Sequence, residues 1–154
     1  MAFATIALVA LPAAGAGENS ALEFFADPAD SAIAPHSDSL DIPGKAFTME
    51  AWIMPTGPQA GDGIIINKEN SYEMAVRAGD QLMFAIQAGA WDWFGGGKPT
   101  VNEWHHVAVT VDGSGKAAGV AIYLDGQLQQ TQARSDSLSG SIDTSAAFVI
   151  GGFD

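Results

Sequence analysis

Two indoles lie two residues apart in Ala90-Trp91-Asp92-Trp93-Phe94, directly before the glycine run Gly95-Gly96-Gly97. In extended backbone, residues i and i+2 share a face, so Trp91 and Trp93 present a paired aromatic surface. Indoles beside polar groups suit a sugar platform: the apolar face of a pyranose stacks on the ring, and its hydroxyls find hydrogen bonds, here from Asp92 and Asn102. The competing role is interior packing, where each aromatic buries ~150–250 Å². Core placement fits one of the two indoles, and the ligand role stays open for the other.

Carboxylates are the second source of chemistry. Asp27 and Asp30 in Phe25-Ala26-Asp27-Pro28-Ala29-Asp30-Ser31 are close enough in sequence to share a hard cation such as calcium, which takes 6–8 oxygen ligands. Turn formation is the alternative role for Asp before Pro or Ser. No EF-hand spacing occurs. Glycoside hydrolysis needs two carboxylates ~5–5.5 Å apart for retention or ~6.5–9.5 Å for inversion. Glu69 and Glu73 are the nearest local pair, and four strand residues span ~13 Å. His105 and His106 are adjacent, point to opposite faces of a strand and cannot chelate one ion together. His36 stands alone in a loop, and no particular Ser is tied to His105 or His106. Gly95-Gly96-Gly97-Lys98 lacks the spacing of a phosphate-binding loop. The expectation is a protein that binds and does not catalyse.

The elements that must position these residues read as strands. Phe47, Met49, Ala51 and Ile53 alternate with Thr48, Glu50 and Trp52, and similar runs follow at 63–67, 71–77, 81–87, 104–112, 120–124, 127–132 and 146–151. Turn residues separate them, and Asp125-Gly126 is a strong hairpin signal because both central positions need positive φ. No capped 3.6-residue apolar stripe occurs after residue 20. Many short strands without helical crossovers predict an all-β antiparallel sandwich or barrel. The 154 residues fit one domain, and zero cysteines exclude disulfides, thiolate chemistry and iron–sulfur clusters. A net charge of −12 argues against a basic face for nucleic acid or an anionic membrane.

Residues 1–17, MAFATIALVALPAAGAG, carry no charge. The run is shorter than the roughly 20 apolar residues of a membrane span and contains Pro12. It fits a signal remnant without its basic start, or a strand covered on both faces.

Ala21-Leu22-Glu23-Phe24, Ser37-Asp38-Ser39-Leu40-Asp41-Ile42 and Phe47-Thr48-Met49-Glu50-Ala51-Trp52-Ile53 resemble the opening of a laminin G-like domain of the concanavalin A-like lectin/glucanase superfamily. Glu103-Trp104-His105-His106-Val107-Ala108-Val109-Thr110-Val111-Asp112, Ile122-Tyr123-Leu124-Asp125-Gly126 and Val149-Ile150-Gly151-Gly152 continue the likeness. The resemblance implies a two-sheet antiparallel jelly-roll sandwich over 18–154, often secreted or on the cell surface, often calcium-binding, and used to bind a glycan or an extracellular protein. It adds Glu18 and Asp154 to Asp27 and Asp30 as metal candidates, since the first and last elements would share a rim. His106 matches the family's usual strand histidine, and Trp52 and Trp104 read as structural. The Glu-x-Asp-x-x-Glu motif of laminarinase-like relatives is absent. The family's usual closing strand is not matched before Phe153-Asp154, so the apolar segment 3–11 is expected to fill that place, in its own chain or in a neighbouring subunit as a homo-oligomer. A fragment is the other reading, and ligand specificity is expected in the loops 56–62 and 89–100.

Overall fold

The computed structural model describes residues 6–9, 21–25, 30–42, 46–129, 132–133, 136 and 138–152. Two antiparallel sheets face each other. The first runs β11 (Gln127–Leu128), β10 (Val120–Leu124), β9 (His105–Asp112), β4 (Ala46–Pro55), β1 (Ile6–Val9), β2 (Ala21–Phe24). The second runs β12 (Gln132–Ala133), β8 (Trp91–Gly95), β7 (Gln81–Gln87), β6 (Tyr72–Arg77), β5 (Gly63–Lys68), β13 (Phe148–Ile150), β3 (Ala32–Ala34). This is the all-β sandwich expected from the alternation of short apolar runs and turn residues. Among the described residues no helix is long and apolar enough to cross a membrane.

Alternation decides which side chains form the core. Along β4, Met49, Ala51 and Ile53 are buried while Glu50 and Trp52 are exposed. Val107, Val109 and Val111 of β9 and Ile122 of β10 complete the inner layer of the first sheet, against Ile66, Met74, Val76, Leu82, Phe84, Ile86 and Phe94 of the second. Phe47 bridges the layers, its ring centroid 5.5 Å from Tyr72 and 6.1 Å from Phe84.

The second sheet departs from simple alternation. β6 and β7 are buried on both faces nearly throughout. A register shift between Ile64 and Ile66 lets Ile65 and Ile66 join the inner core while Ile64 faces outward with Ala75, Met83 and Ala85.

Ile6–Val9 pairs with both neighbours in its own chain, Leu8 standing opposite Ile53 of β4 and Leu22 of β2. The hairpin at Asp125-Gly126 has φ of +51° and +75°, the two positive angles such a turn requires.

Candidate functional site: the outer face of the second sheet

Cross-strand pairing sets the layout of this face. Trp93 lies opposite Ala85, Trp91 opposite Gln87, and Gly95 opposite Met83. One strand further, Ala85 faces Glu73, Met83 faces Ala75 and Gln81 faces Arg77. Beyond those, Glu73 faces Asn67 and Ala75 is paired with Ile64. Small side chains at Ala75 and Ala85 leave room for the large ones of β8 to pack against the outward cluster, and both alanines are fully covered. The two rings lie 5.7 Å apart, inclined at 31°, and both stay partly exposed. Expectation put one of the pair in the inner core; in the structure both belong to the outer face.

Arg77 extends this aromatic strip. Its guanidinium carbon lies 4.6 Å from the Trp93 ring centre, and its Nε and Nη2 each donate to an Asp62 carboxylate oxygen at 2.6 Å. The Asp62 hydrogen bonds raise the guanidinium pKa above its ordinary value, so this group stays charged while its partner neutralises it locally. Beside the strip, Arg77, Gln81, Met83, Trp93 and Gly95 line an open cleft of about 400 Å³. A Cβ added to Gly95 would sit 3.0 Å from the Gln81 carboxamide, so the missing side chain keeps that end of the cleft open.

Glu73 is the unusual acid of this face. It is 6% exposed, and burial, followed by the nearby charges of Asp62 and Glu69, pushes its pKa up to about 7 against the opposing pull of Arg77 and Asn67. The Asn67 amide lies close enough to act on that carboxyl, yet neither of its polar atoms meets hydrogen-bond geometry with a partner.

Of the four predicted ligand-binding residues, the structure brings together Trp91 and Trp93. Asp92 between them points to the opposite side of the strand, opposite Ile86 in the ladder, and is fully buried, because neighbours on a strand face opposite ways. Asn102 occupies a left-handed turn with φ +63°, and its N–H donates to the Pro55 carbonyl at 2.6 Å, which ties it to the first sheet. Among the predicted metal ligands, Asp30 accepts the Phe25 N–H at 2.5 Å. Glu18, Asp27 and Asp154 lie outside the described residues.

A second acidic group was not foreseen. His36, Asp38 and Asp41 bring one ligand atom each within 4.8 Å of one another, around the short 3₁₀ turn Asp38–Leu40. In the sequence His36 stands alone in a loop, and 37–42 reads only as part of the family-like opening. The nearly fully buried Lys68 ammonium already lies 3.4 Å from both Asp41 Oδ1 and His36 Nδ1, and donates to the Thr144 carbonyl at 2.8 Å. A calcium ion wants oxygen ligands and no neighbouring cation, so this group does not fit one.

The sequence singled out His106 as the family-like strand histidine and assigned His105 no role. His105 is the buried, hydrogen-bonded one: Nε2 accepts the Thr100 N–H at 3.0 Å, so Nδ1 carries the proton and donates to Asp125 Oδ2 at 2.7 Å. Thr100 Oγ1 is 2.8 Å from Nε2 and donates to Glu103 Oε2 at 2.6 Å. With Nε2 engaged by a backbone N–H, the chain Asp125–His105–Thr100 pins the loop after β8 to the β10–β11 hairpin. His106 faces outward, 5.4 Å from the Trp52 ring and 3.4 Å from Glu50. Strand parity puts Trp52 on that same outer face, where it is 42% exposed, and Trp104 is 40% exposed; neither ring lies in the core.

Two antiparallel sheets packed face to face define a jelly-roll sandwich. Residues 27–153 match the family model Laminin_G_3, described as concanavalin A-like lectin/glucanases superfamily, and the chain belongs to that family. Among solved structures it is similar to the native heptameric SAP-like pentraxin from Limulus polyphemus, at 15% identity and a TM-score of 0.46 over 97% of this chain and 64% of that one. The chain thus spans under two thirds of that protein's length. No curated protein matches it.

Proposed function

We propose that the protein is a non-catalytic carbohydrate-binding module, acting outside the cytoplasm, that seats its ligand on the Trp91–Trp93 face of the second sheet. The observation that carries this reading is the indole pair itself, two partly exposed rings 5.7 Å apart beside an open cleft with Gln81 and Arg77 at its rim. Aromatic surface takes the apolar face of a sugar, while the amide and the remaining guanidinium N–H groups meet hydroxyls. Arg77 is already neutralised by Asp62, which suits an uncharged partner. A glycan presented on an extracellular protein would satisfy the same surface. The contact needs no metal bridge, so chelation with EDTA is expected to leave affinity unchanged. Absence of the Glu-x-Asp-x-x-Glu motif supports binding over hydrolysis.

Titration of neutral oligosaccharides against the wild type and Trp91→Ala tests the proposal. The expected result is a roughly tenfold or greater loss of affinity with the melting temperature held within a few degrees. Equal affinity in the variant removes the indole platform, and release of reducing sugar removes the non-catalytic reading.

Strand exchange is a second reading, favoured by the position of β1 between β4 and β2. A neighbouring copy's Ile6–Val9 could form the same two ladders, and concentration-dependent mass in light scattering is its test.

A further inference from the structure

We propose that Asn67, Glu73 and Gln87 form the hydroxyl-reading edge of this face, and that the ligand they select is an uncharged sugar. The proposal rests on the carbohydrate reading above.

All three residues share the outward face of adjacent strands. Asn67 and Glu73 stand directly opposite each other, Ala85 carries that row on to Trp93, and Gln87, two residues past Ala85, is opposite Trp91. Strands lie ~4.8 Å apart, so Gln87 is one strand from the indoles, Glu73 two and Asn67 three, roughly 14 Å away, and the set forms a row leading away from the pair. Asn67 is 1% exposed and Glu73 6%. Even so, Asn67 Oδ1 and Nδ2, Glu73 Oε1 and Gln87 Oε1 reach no partner in good hydrogen-bond geometry, although the Asn67 amide lies close enough to the Glu73 carboxyl to pull its pKa down. Buried polar atoms without partners are rare, because each has given up its bonds to water. Four of them on one outward face, in a row that begins beside the partly exposed Trp91, point to a group that arrives from outside.

The mixture of atoms selects the chemistry. A cation would satisfy the three oxygens and leave the Asn67 N–H groups unmet. An anion would meet that amide but would face Glu73 with Asp62 and Glu69 close by. A hydroxyl both donates and accepts, and therefore suits all four atoms. The charged groups acting on Glu73 are Asp62 ahead of β5, Glu69 after it and Arg77 on β6, while β7 offers only Ala85 opposite. Burial holds the Glu73 carboxyl neutral up to about pH 7, where it can donate to a sugar oxygen; above that it loses the proton and becomes a buried charge. Gln87, half-buried beside Trp91, is the first of the three that a seated sugar meets. Asn67 and Glu73 are covered, so the side chains over them must move before a ligand reaches them, and a sugar stacked on Trp91 and Trp93 should change tryptophan fluorescence on binding.

The test is titration calorimetry with the full chain, using neutral oligosaccharides and their uronic acid counterparts at pH 6 and pH 8. Wild type, Glu73→Gln, Gln87→Ala and Trp91→Ala are compared, with circular dichroism melts as the check on folding. The expected result is binding of the neutral sugar, about tenfold weaker at pH 8 than at pH 6. Glu73→Gln, which keeps a donor and an acceptor, should hold the pH 6 affinity at both pH values. Gln87→Ala should bind several-fold more weakly. If a sugar binds and Trp91→Ala abolishes it, but the Glu73 and Gln87 variants leave affinity and pH profile unaltered, this assignment is overturned and the indole platform stands. Preference for the uronic acid form overturns the uncharged class. If neither sugar class binds the wild type, the carbohydrate reading itself fails, and this inference fails with it.

Discussion

The Arg77 guanidinium lies 4.6 Å from the centre of the Trp93 ring, held in place by two 2.6 Å hydrogen bonds to Asp62. Arg77 thereby adds a third planar group beside Trp93 and Trp91, whose rings pack against the outward cluster that includes the small residues Ala75 and Ala85. The arrangement fixes the Trp93 ring before any ligand arrives, which lowers the ordering cost of binding.

Arg77→Lys should therefore weaken ligand binding although the charge is kept. A lysine cannot reproduce the paired contact with Asp62 or lie flat on the ring. A contact of this kind at a partly exposed site contributes ~0.5–1 kcal/mol, so affinity should fall about two- to fivefold while the melting temperature moves by only a few degrees. Calorimetry of the two proteins checks this; unchanged affinity would show that the fork does not set the ring.

His105→Ala should lower stability by ~1–3 kcal/mol, since it leaves the Thr100 N–H and the Asp125 carboxylate without their partner. Burial raises the Asp125 pKa, but hydrogen bonds from His105 and the His106 N–H outweigh it and bring the pKa below its ordinary value. A carboxyl with a lowered pKa stabilises the fold above its unfolded value near 3.8, and that contribution disappears as pH falls through the folded value. Acid unfolding of Asp125→Asn should therefore lack this component, as read from melts between pH 5 and pH 2.

Glu73 acts in the opposite sense. Its carboxyl titrates near 4.5 when unfolded and about 7 when folded, so the folded chain binds the extra proton between those values. The contribution is complete below pH 4.5 and declines as pH rises to about 7, a total of about 3 kcal/mol. Chemical denaturation at pH 5 and pH 8 should show this decline in the wild type. In Glu73→Gln the slope should be absent, and an identical slope in both proteins would assign it to other groups.

Removal of residues 1–17 should destabilise the first sheet, because Ile6–Val9 pairs with β4 on one side and β2 on the other. The loss leaves both ladders unpaired along the sheet and exposes β4 as an edge. A fall in melting temperature, or a gain in oligomeric mass by light scattering as another copy supplies the edge, is the expected outcome. An unchanged monomeric fold would show that β1 is dispensable.

Much of the fold was legible in the chain because alternation is a local property. β4 reads directly from Phe47 to Ile53, and Asp125-Gly126 announces its own hairpin through the positive φ that both residues adopt. The pairing of Trp91 with Trp93 was readable for the same reason, since i and i+2 share a face wherever the backbone is extended. By that rule Asp92 had to face away from them, and the structure buries it.

Contacts between strands distant in sequence were beyond that reading. Whether the indoles faced the inner core or the outer side depended on the register of β7 against β8, and on Ala75 and Ala85 making room above the sheet. Asn67, Glu73 and Gln87 carry no local signal at all; their common patch exists because three ladders bring them together. Lys68 likewise looks like an ordinary strand residue until the fold encloses it with Asp41 and the Thr144 carbonyl. The sequence by itself determined strand periodicity, the turns and the acidic, cysteine-free composition, because these depend on neighbours along the chain. Only the tertiary structure decided which outward residues share a face and which polar atoms lose their water, because both depend on what the opposing strands place beside them.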